Sequence, residues 1–490
     1  MSCGSWRPRP GCGSGEDDVK MTHPEVRLVP DNTMILRSTS PQRPDDVVGE
    51  WQDGGTEAVE AAAARAFGAS PAWSAIRAAE RGRALAEAAD RMASDARGLA
   101  ELMVREVGKP ISEATAEVAR AVAILRYYAQ AALDAEGETY PSANGRGWLF
   151  ARRRPRGVAG LITPWNFPVA IPTWKLAPAL AYGNSVVLKP ATQAMTCGLR
   201  IASYFDLPEG VLEVVSVGSA AASRLATLPH VDALSFTGSS STGASLAVAT
   251  AGRGIAFQGE MGGSNASIVL PDADLAAAVP VIASSAMAYA GQKCTATSRV
   301  IVVGDMDRVC DALVAAVERL GVGDPARPEN VVGPVISEGA REVVLQAARA
   351  AEAAGARVIA GGQALESRGW FVAPTLVRDV PRDADLACEE VFGPICAVLP
   401  ARDVDDAVAL ANATRYGLVA SVFTRDLDQA MGVVDRLDVG MARVNAATTG
   451  IDYWAPFGGA RESSTGPREQ GRAAREFYTK TVTVTVEPSH

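Results

Sequence analysis

Residues 157–190 read GVAGLITPWNFPVAIPTWKLAPALAYGNSVVLKP. Short apolar runs open and close this segment, GVAGLIT (157–163) and NSVVLKP (184–190). The texture continues in VLEVVSV (211–217) and DALSFTG (232–238), with helical stretches between runs at roughly 25-residue intervals. Buried strands alternating with helices predict a parallel sheet with crossover helices. A second alternating block begins near 266 (ASIVL) and runs to about 445 (GMARVN). Its strands include RVIVV (299–303), FVAPTLV (371–377) and GLVASVF (417–423). The fold class is therefore α/β, with two α/β domains in series.

Upstream, residues 55–135 read as mostly helical. Thr56–Phe67 is Ala-rich with apolar letters at helical spacing, and Ile76–Met92 continues the style. Gly108-Lys109-Pro110 marks a stop and restart. At the other end TKTVTVTV (479–486) alternates without a local partner. Such an orphan strand pairs with another segment or subunit, and WLFARRRP (148–155) is a plausible mate.

The 490 residues leave room for about three domains. A hydrophobic fraction of 48% is ordinary for a globular protein. The net charge of −9 argues against a nucleic-acid binder. No long apolar run spans a membrane, and the seven scattered cysteines lack a CxxC pair. This pattern predicts a reducing, cytoplasmic location. The first 24 residues read as a disordered tail, and Met21 as an alternative start. Only three histidines exist, His23, His230 and His490, which speaks against a His-rich metal site or a His-centred hydrolase. Six lysines stand against 41 arginines, so each lysine is an informative letter.

Cys294, in YAGQKCTATSR, follows a helical stretch and sits among polar residues at an element boundary, unlike a core cysteine. Cys310 and Cys396 lie in apolar runs and read as packing; Cys388 sits beside two glutamates, which raise a thiol's pKa. Glu260 ends the run GIAFQGE before Gly262-Gly263, where it can face a cleft or simply be a solvated loop glutamate. Asn166, in the Pro-bounded loop TPWNFPVAIP (163–172), has the chemistry of an oxyanion donor, although such aromatic loops usually pack. There is no GxGxxG. Gly238 and Ser239 instead open a Gly/Ser-rich helix N-terminus that can hold a pyrophosphate or merely cap its helix.

Together the motifs resemble the aldehyde dehydrogenase superfamily over roughly residues 35–490. TPWNFP, GNSVVLKPAT, FTGSSSTG, EMGG, GQKCTATSR, EEVFGP, PFGG and GPREQG occur in the family's order. The resemblance implies a Rossmann-like NAD(P)-binding domain (25–136 and 156–262), a catalytic domain (263–472) and a small β oligomerisation element (137–155 and 473–490). It implies a homodimer or homotetramer, no metal, no nucleic-acid or membrane partner, and an aldehyde as substrate. Cys294 would attack the aldehyde. Asn166 and the Cys294 N–H would stabilise the oxyanion, and Glu260 would activate water against the thioester. Ile162, Thr163, Pro164, Trp165, Lys189, Thr192, Gly218, Gly238, Ser239, Thr242, Met261, Glu390 and Phe392 would surround the cofactor. Phe167, Trp174, Lys293, Thr295 and Phe457 would border the aldehyde.

Three departures sharpen this reading. NAD-preferring members commonly carry a glutamate where this chain has Thr192, so NADP use at least comparable with NAD is expected. The segment VNAATTGIDYWAPFGG (444–459), Lys293 and GPREQG (466–471) most resemble the α-ketoglutaric semialdehyde (2,5-dioxovalerate) dehydrogenase subgroup. Ala288 replaces a bulky aromatic common in broad-specificity members. A cation near the tunnel, Lys293 or Arg461, would favour a carboxylated semialdehyde, whereas a solvated Lys293 would not. An apolar or aromatic aldehyde of specialised metabolism stays open, given Trp174, Trp454 and Phe457. A CoA-acylating enzyme, which usually lacks the glutamate, a Cys-His hydrolase and a non-catalytic relative fit less well.

Overall fold

A computed structural model describes residues 34–135, 137–143 and 145–487. The tail expected over 1–24, and Met21 with it, lies outside these residues. Four helices occupy the predicted helical region: Gly55–Ala75, Ala78–Ser94, Ala96–Val107 and Ile111–Ala131. The break falls at Gly108, whose left-handed φ of 66° closes the third helix. Pro110 then caps the fourth helix from outside its first turn. An antiparallel hairpin, Ile35–Ser40 with Arg43–Gln52, precedes them. Its second strand, RPDDVVGEWQ, mixes charged residues with Val47, Val48 and Trp51 and carries no regular apolar alternation to announce it.

The apolar runs form two open sheets. In the first, Val158–Thr163 is central. On one side lie Ser185–Pro190 and Leu212–Val214, on the other Ala233–Thr237 and Ala256–Glu260, all parallel. The chain therefore reverses its direction of travel between Val158–Thr163 and Ala233–Thr237. In such sheets ligands bind in the crevice at the carboxyl ends of the two strands flanking that reversal. Ser464–Thr465 extends this sheet antiparallel to Gly259–Glu260, so a downstream segment borders the strand that carries Glu260.

The second sheet has seven strands. Asn265–Val269 and Thr297–Val303 pair in parallel at its middle, flanked by Ile395–Ala401 and Val419–Phe423. Of the FVAPTLV run only residues 375–377 enter the sheet, in the strand Thr375–Arg378. The strands are almost wholly buried, as parallel strands covered by helices on both faces must be. Trp148–Pro155 and Thr479–Val486 pair antiparallel over eight residues, as expected, with Thr139–Tyr140 on the outer side. No described helix is long and apolar enough to cross a membrane.

Candidate active site

Cys294 sits in the turn between helix Leu275–Met287 and strand Thr297–Val303. Three consecutive left-handed residues precede it, Tyr289 (φ 56°), Ala290 (φ 53°) and Gly291 (φ 66°). Non-glycine residues in that region cost about 1–3 kcal/mol each and persist only where the surroundings hold them. Several bonds hold them here. Tyr289 N–H donates to the Val331 carbonyl (2.8 Å) and its hydroxyl to the Val107 carbonyl (3.2 Å). Gln292 Nε2 donates to the carbonyls of Tyr289 and Pro334 (both 3.2 Å). Asn265 Nδ2 donates to the carbonyls of Cys294 (2.7 Å) and Ala296 (2.8 Å). Cys294 is partly accessible, whereas Cys197, Cys310, Cys388 and Cys396 are buried.

Asn166 lies on the other wall. Its Nδ2 donates to the Gln292 carbonyl (3.0 Å), which ties it to the residue two before the thiol. The loop is fixed from behind by Lys109, wholly buried, whose Nζ donates to the Asn166 carbonyl (2.8 Å) and pairs with Glu117. Glu117 Oε1 in turn accepts the N–H groups of Val169 and Ala170 (both 2.9 Å) and so caps helix Ala170–Ala181.

Glu260 ends its strand inside the protein, 3% exposed, and is therefore not a solvated loop glutamate. Ser464 Oγ donates to its Oε2 (2.5 Å). Burial, then the Glu469 charge, push its carboxyl well above the usual range, against the Ser464 hydrogen bond, Lys175 and Arg468. Glu469 pairs with Lys175, whose Nζ also donates to Ser235 Oγ (2.7 Å). Burial and the charges of Glu390, Glu260 and Glu469 likewise raise the Cys294 thiol. Site and surroundings thus form a thiol, a carboxyl that titrates high, and an ion pair behind that carboxyl. Lys109, Lys175, Glu117, Glu469, Ser464 and Asn265 escaped the sequence reading. The available signal was a lysine in the middle of the apolar helix AIPTWKLAPALA, since a charge there must be paired.

Around the carboxyl ends of the reversal strands, Thr163 Oγ1 and Thr237 Oγ1 are buried and without hydrogen-bond partners. Gly238 follows, and Ser239 caps helix Ser240–Ala251 through its hydroxyl, which accepts from Thr242 N–H (3.4 Å) and donates to Thr242 Oγ1 (2.9 Å). Ile162 pairs with Lys189 across adjacent strands. The Lys189 ammonium is 5% exposed, and burial lowers it to about 8 against the pull of Asp53. The Asp53 carboxylate accepts the N–H groups of Gly55 (2.9 Å) and Gly218 (3.3 Å). Thr192 starts a short turn three residues beyond Lys189. Trp165, after Pro164, meets the Phe392 ring edge to face at 5.6 Å, and Phe392 has φ 56°. Glu390 accepts Gly263 N–H (3.2 Å), and a Cβ on Gly262 would overlap its carboxylate. Burial raises that carboxyl to about 7. Met261 packs under Gly243 of the capped helix. The orphaned hydroxyls, the buried Lys189 ammonium and the N-terminus of the Ser239-capped helix fit a dinucleotide.

The Trp174 and Phe457 rings are 5.6 Å apart, and Lys109 Nζ lies over the Phe167 ring at 3.7 Å. Thr295 is buried. Lys293 is buried too, and its Nζ pairs with Glu113 at 2.6 Å, so it is not a solvated lysine. Arg461 binds Asp438 (2.6 Å) and the carbonyls of Asn412 and Thr414. His230 stacks on Phe67 at 4.7 Å, in a different part of the chain from Cys294.

Residues 29–484 match the family described as "Aldehyde dehydrogenase family". The chain belongs to this family of NAD(P)-dependent oxidoreductases and is an aldehyde dehydrogenase. It is 40% identical over 463 residues to the alpha-ketoglutaric semialdehyde dehydrogenase of Bacillus subtilis (strain 168), covering 93% of this chain and 95% of that one. It is 41% identical over 457 residues to the alpha-ketoglutarate semialdehyde dehydrogenase of Haloferax volcanii, covering 91% and 94%. Its fold superposes on the crystal structure of an NAD-dependent aldehyde dehydrogenase from Sinorhizobium meliloti with a TM-score of 0.90, at 33% identity over 93% and 92% of the chains. An E. coli NADP-dependent enzyme gives the same TM-score at 34% identity, over 93% and 95%.

Proposed function

We propose that the protein oxidises a carboxylated semialdehyde, α-ketoglutaric semialdehyde by preference, to the dicarboxylic acid. The observation that carries the chemistry is one loop and three groups. The Cys294 loop is tied to the Asn166 amide, and the Cys294 thiol lies within the field of Glu260 and Glu390. The naming of the two relatives above, together with the 444–459 segment, supports the substrate.

Glu260, once ionised, takes the Cys294 thiol proton and releases it to solvent, and Sγ attacks the aldehyde carbon. Asn166 Nδ2 leaves the Gln292 carbonyl and, with the Cys294 N–H, donates to the oxygen as it becomes negative. NAD(P)+, when bound, supplies the hydride acceptor that makes the adduct a thioester. Glu260 then takes a proton from water, which attacks the thioester carbon; the acid leaves and the thiol is restored. Because burial and the Glu469 charge shift the Glu260 carboxyl upward, activity rises with pH as it ionises.

Ile162, Thr163, Pro164, Trp165, Lys189, Thr192, Gly218, Gly238, Ser239, Thr242, Met261, Glu390 and Phe392 hold the cofactor in this reading. NADP serves at least as well as NAD, since Thr192 offers a 2′-phosphate no repulsion and Lys189 offers it a charge. Phe167, Trp174, Thr295 and Phe457 border the aldehyde. Residues 25–136 and 156–262 form the cofactor domain and 263–472 the catalytic domain. The exposed Trp148 and Val486 on the three-stranded sheet support assembly of 137–155 and 473–490 into a homodimer or homotetramer, and the protein is cytoplasmic.

The test is a panel of aldehydes with NAD and NADP separately, followed by the absorbance of the reduced nicotinamide. Dicarboxylic semialdehydes should rank first. Ranking below benzaldehyde and the linear alkanals defeats the substrate assignment, and Cys294→Ala activity equal to wild type defeats the mechanism.

A further inference from the structure

A carboxylated substrate needs a cation, and the lysine nearest the thiol in sequence is already neutralised: Lys293 is spent on Glu113, as Lys109 is on Glu117. Both acids lie on helix Ile111–Ala131. At 100° per residue, Glu113, Glu117, Arg120, Ile124 and Tyr127 share one stripe of that helix. Its first end touches the nucleophile loop through Glu113 and Lys293. Its far end touches the 444–459 segment, where the Tyr127 and Tyr453 rings are 5.9 Å apart.

The same helix runs alongside Ala170–Ala181 in a readable register. Glu117 bonds Val169 and Ala170, offsets of 52 and 53 residues, and the Tyr128 ring meets Tyr182, an offset of 54. That register sets Trp174 abreast of Arg120 and Ala121. Trp174 forms the aromatic wall with Phe457, and its indole Nε1 is buried with no hydrogen-bond partner. Arg120 is partly exposed and makes no hydrogen bond or ion pair with any described residue. A residue whose guanidinium has no ion-pair partner and one whose indole N–H has no acceptor thus lie at one level of the two packed helices. Glu113 lies about 10 Å along the helix from Arg120.

We infer that Arg120 receives the remote carboxylate of the substrate, with Trp174 Nε1 as an accessory donor, and that Lys293 does not. This rests on the proposed semialdehyde substrate. An Arg fork matches a carboxylate bidentately, which a paired lysine cannot do.

The test compares α-ketoglutaric semialdehyde with pentanal, an uncharged aldehyde of the same carbon number, in wild type, Arg120→Gln, Arg120→Lys and Lys293→Met. The wild type should prefer the semialdehyde in kcat/KM. In Arg120→Gln that preference should fall on the order of tenfold to a hundredfold, the range for a charge-assisted hydrogen bond, mainly through KM. Arg120→Lys should recover part of it. Lys293→Met should lower both substrates alike, because it breaks a pair on the nucleophile loop. Equal losses on both aldehydes in Arg120→Gln, or an unchanged preference, overturn the role of Arg120 while leaving the substrate assignment in place. A wild type with no preference for the semialdehyde overturns both. Pentanal turnover also reports whether each variant is folded.

Discussion

Replacing Lys109 by Met tests how a charge remote from the thiol holds the site. The side chain is wholly buried, pairs with Glu117, donates to the Asn166 carbonyl, and lies over the rings of Phe167 (3.7 Å) and Tyr289 (4.6 Å). Burial pulls its pKa down, and Glu117 and Glu113 pull it back up. Methionine fills much of the volume but leaves the Glu117 carboxylate buried without its counter-charge. Breaking a buried pair in this way costs about 3–5 kcal/mol. The Asn166 carbonyl also loses a donor, about 1–3 kcal/mol, and the two losses overlap because they share one atom. A net loss of about 4 kcal/mol is expected in urea unfolding followed by fluorescence. The double variant Lys109→Met/Glu117→Gln should regain at least about 2 kcal/mol, since a neutral pair carries no stranded charge. Turnover should fall more than tenfold in Lys109→Met, because the peptide bearing the proposed oxyanion donor loses its anchor. A double variant no more stable than Lys109→Met, or a single-variant loss below about 1 kcal/mol, refutes the reasoning.

Other predictions concern ionisation and close packing. Ser464→Ala removes the hydroxyl donor to Glu260, which favours the protonated carboxyl; the rising limb of the pH–kcat profile should move up by about 1–2 units. An unmoved limb means that Ser464 does not tune the base. Lys189 is held at about 8, and a 2′-phosphate binds its cationic form more strongly. The KM for NADP should therefore rise above pH 8 faster than the KM for NAD, as steady-state kinetics at fixed ionic strength will show. Gly262→Ala drives a methyl group into Glu390, so NAD(P) affinity measured by fluorescence quenching should fall at least tenfold while the urea midpoint shifts little. Asp406 is held far below the usual carboxylate range by hydrogen bonds from Arg382 and Arg402. Its contribution, present above the unfolded pKa, is lost as pH falls below about 4, and Asp406→Asn should flatten that acid limb of stability.

Most strands of both sheets were legible because buried parallel strands are nearly unbroken apolar runs between turn residues, whereas Arg357–Ala360, Ile395–Ala401 and Ser464–Thr465 were not named. Cys294, Glu260 and Asn166, the proposed reacting groups, stood out because each sits in a compact local motif at an element boundary, but only the family resemblance joined them into one site. The groups behind them were not. Ser464 and Glu469 reach Glu260 from about 200 residues downstream, and Lys109 reaches Asn166 from another helix. No local pattern encodes such meetings; only an unexplained charge in an apolar setting signals them. The first hairpin was missed for the opposite reason. Arg43–Gln52 mixes charged residues with Val47, Val48 and Trp51 in no regular apolar alternation, so its strand character comes from pairing with Ile35–Ser40 rather than from a hydrophobic pattern.

The edge strand Ser464–Thr465, laid against Gly259–Glu260, has a consequence for the order in which the protein is made. Synthesis proceeds from the N-terminus at about 5–20 residues per second, and domains fold as they emerge. The thiol and carboxyl of the site are both present once residue 294 is out. Yet the hydroxyl donor and the acidic neighbour that set the behaviour of that carboxyl arrive only after position 464. For many seconds the nascent chain carries the reactive letters without the environment that tunes them. The surroundings that set the ionisation of Glu260 are therefore complete only when almost the whole chain has been released.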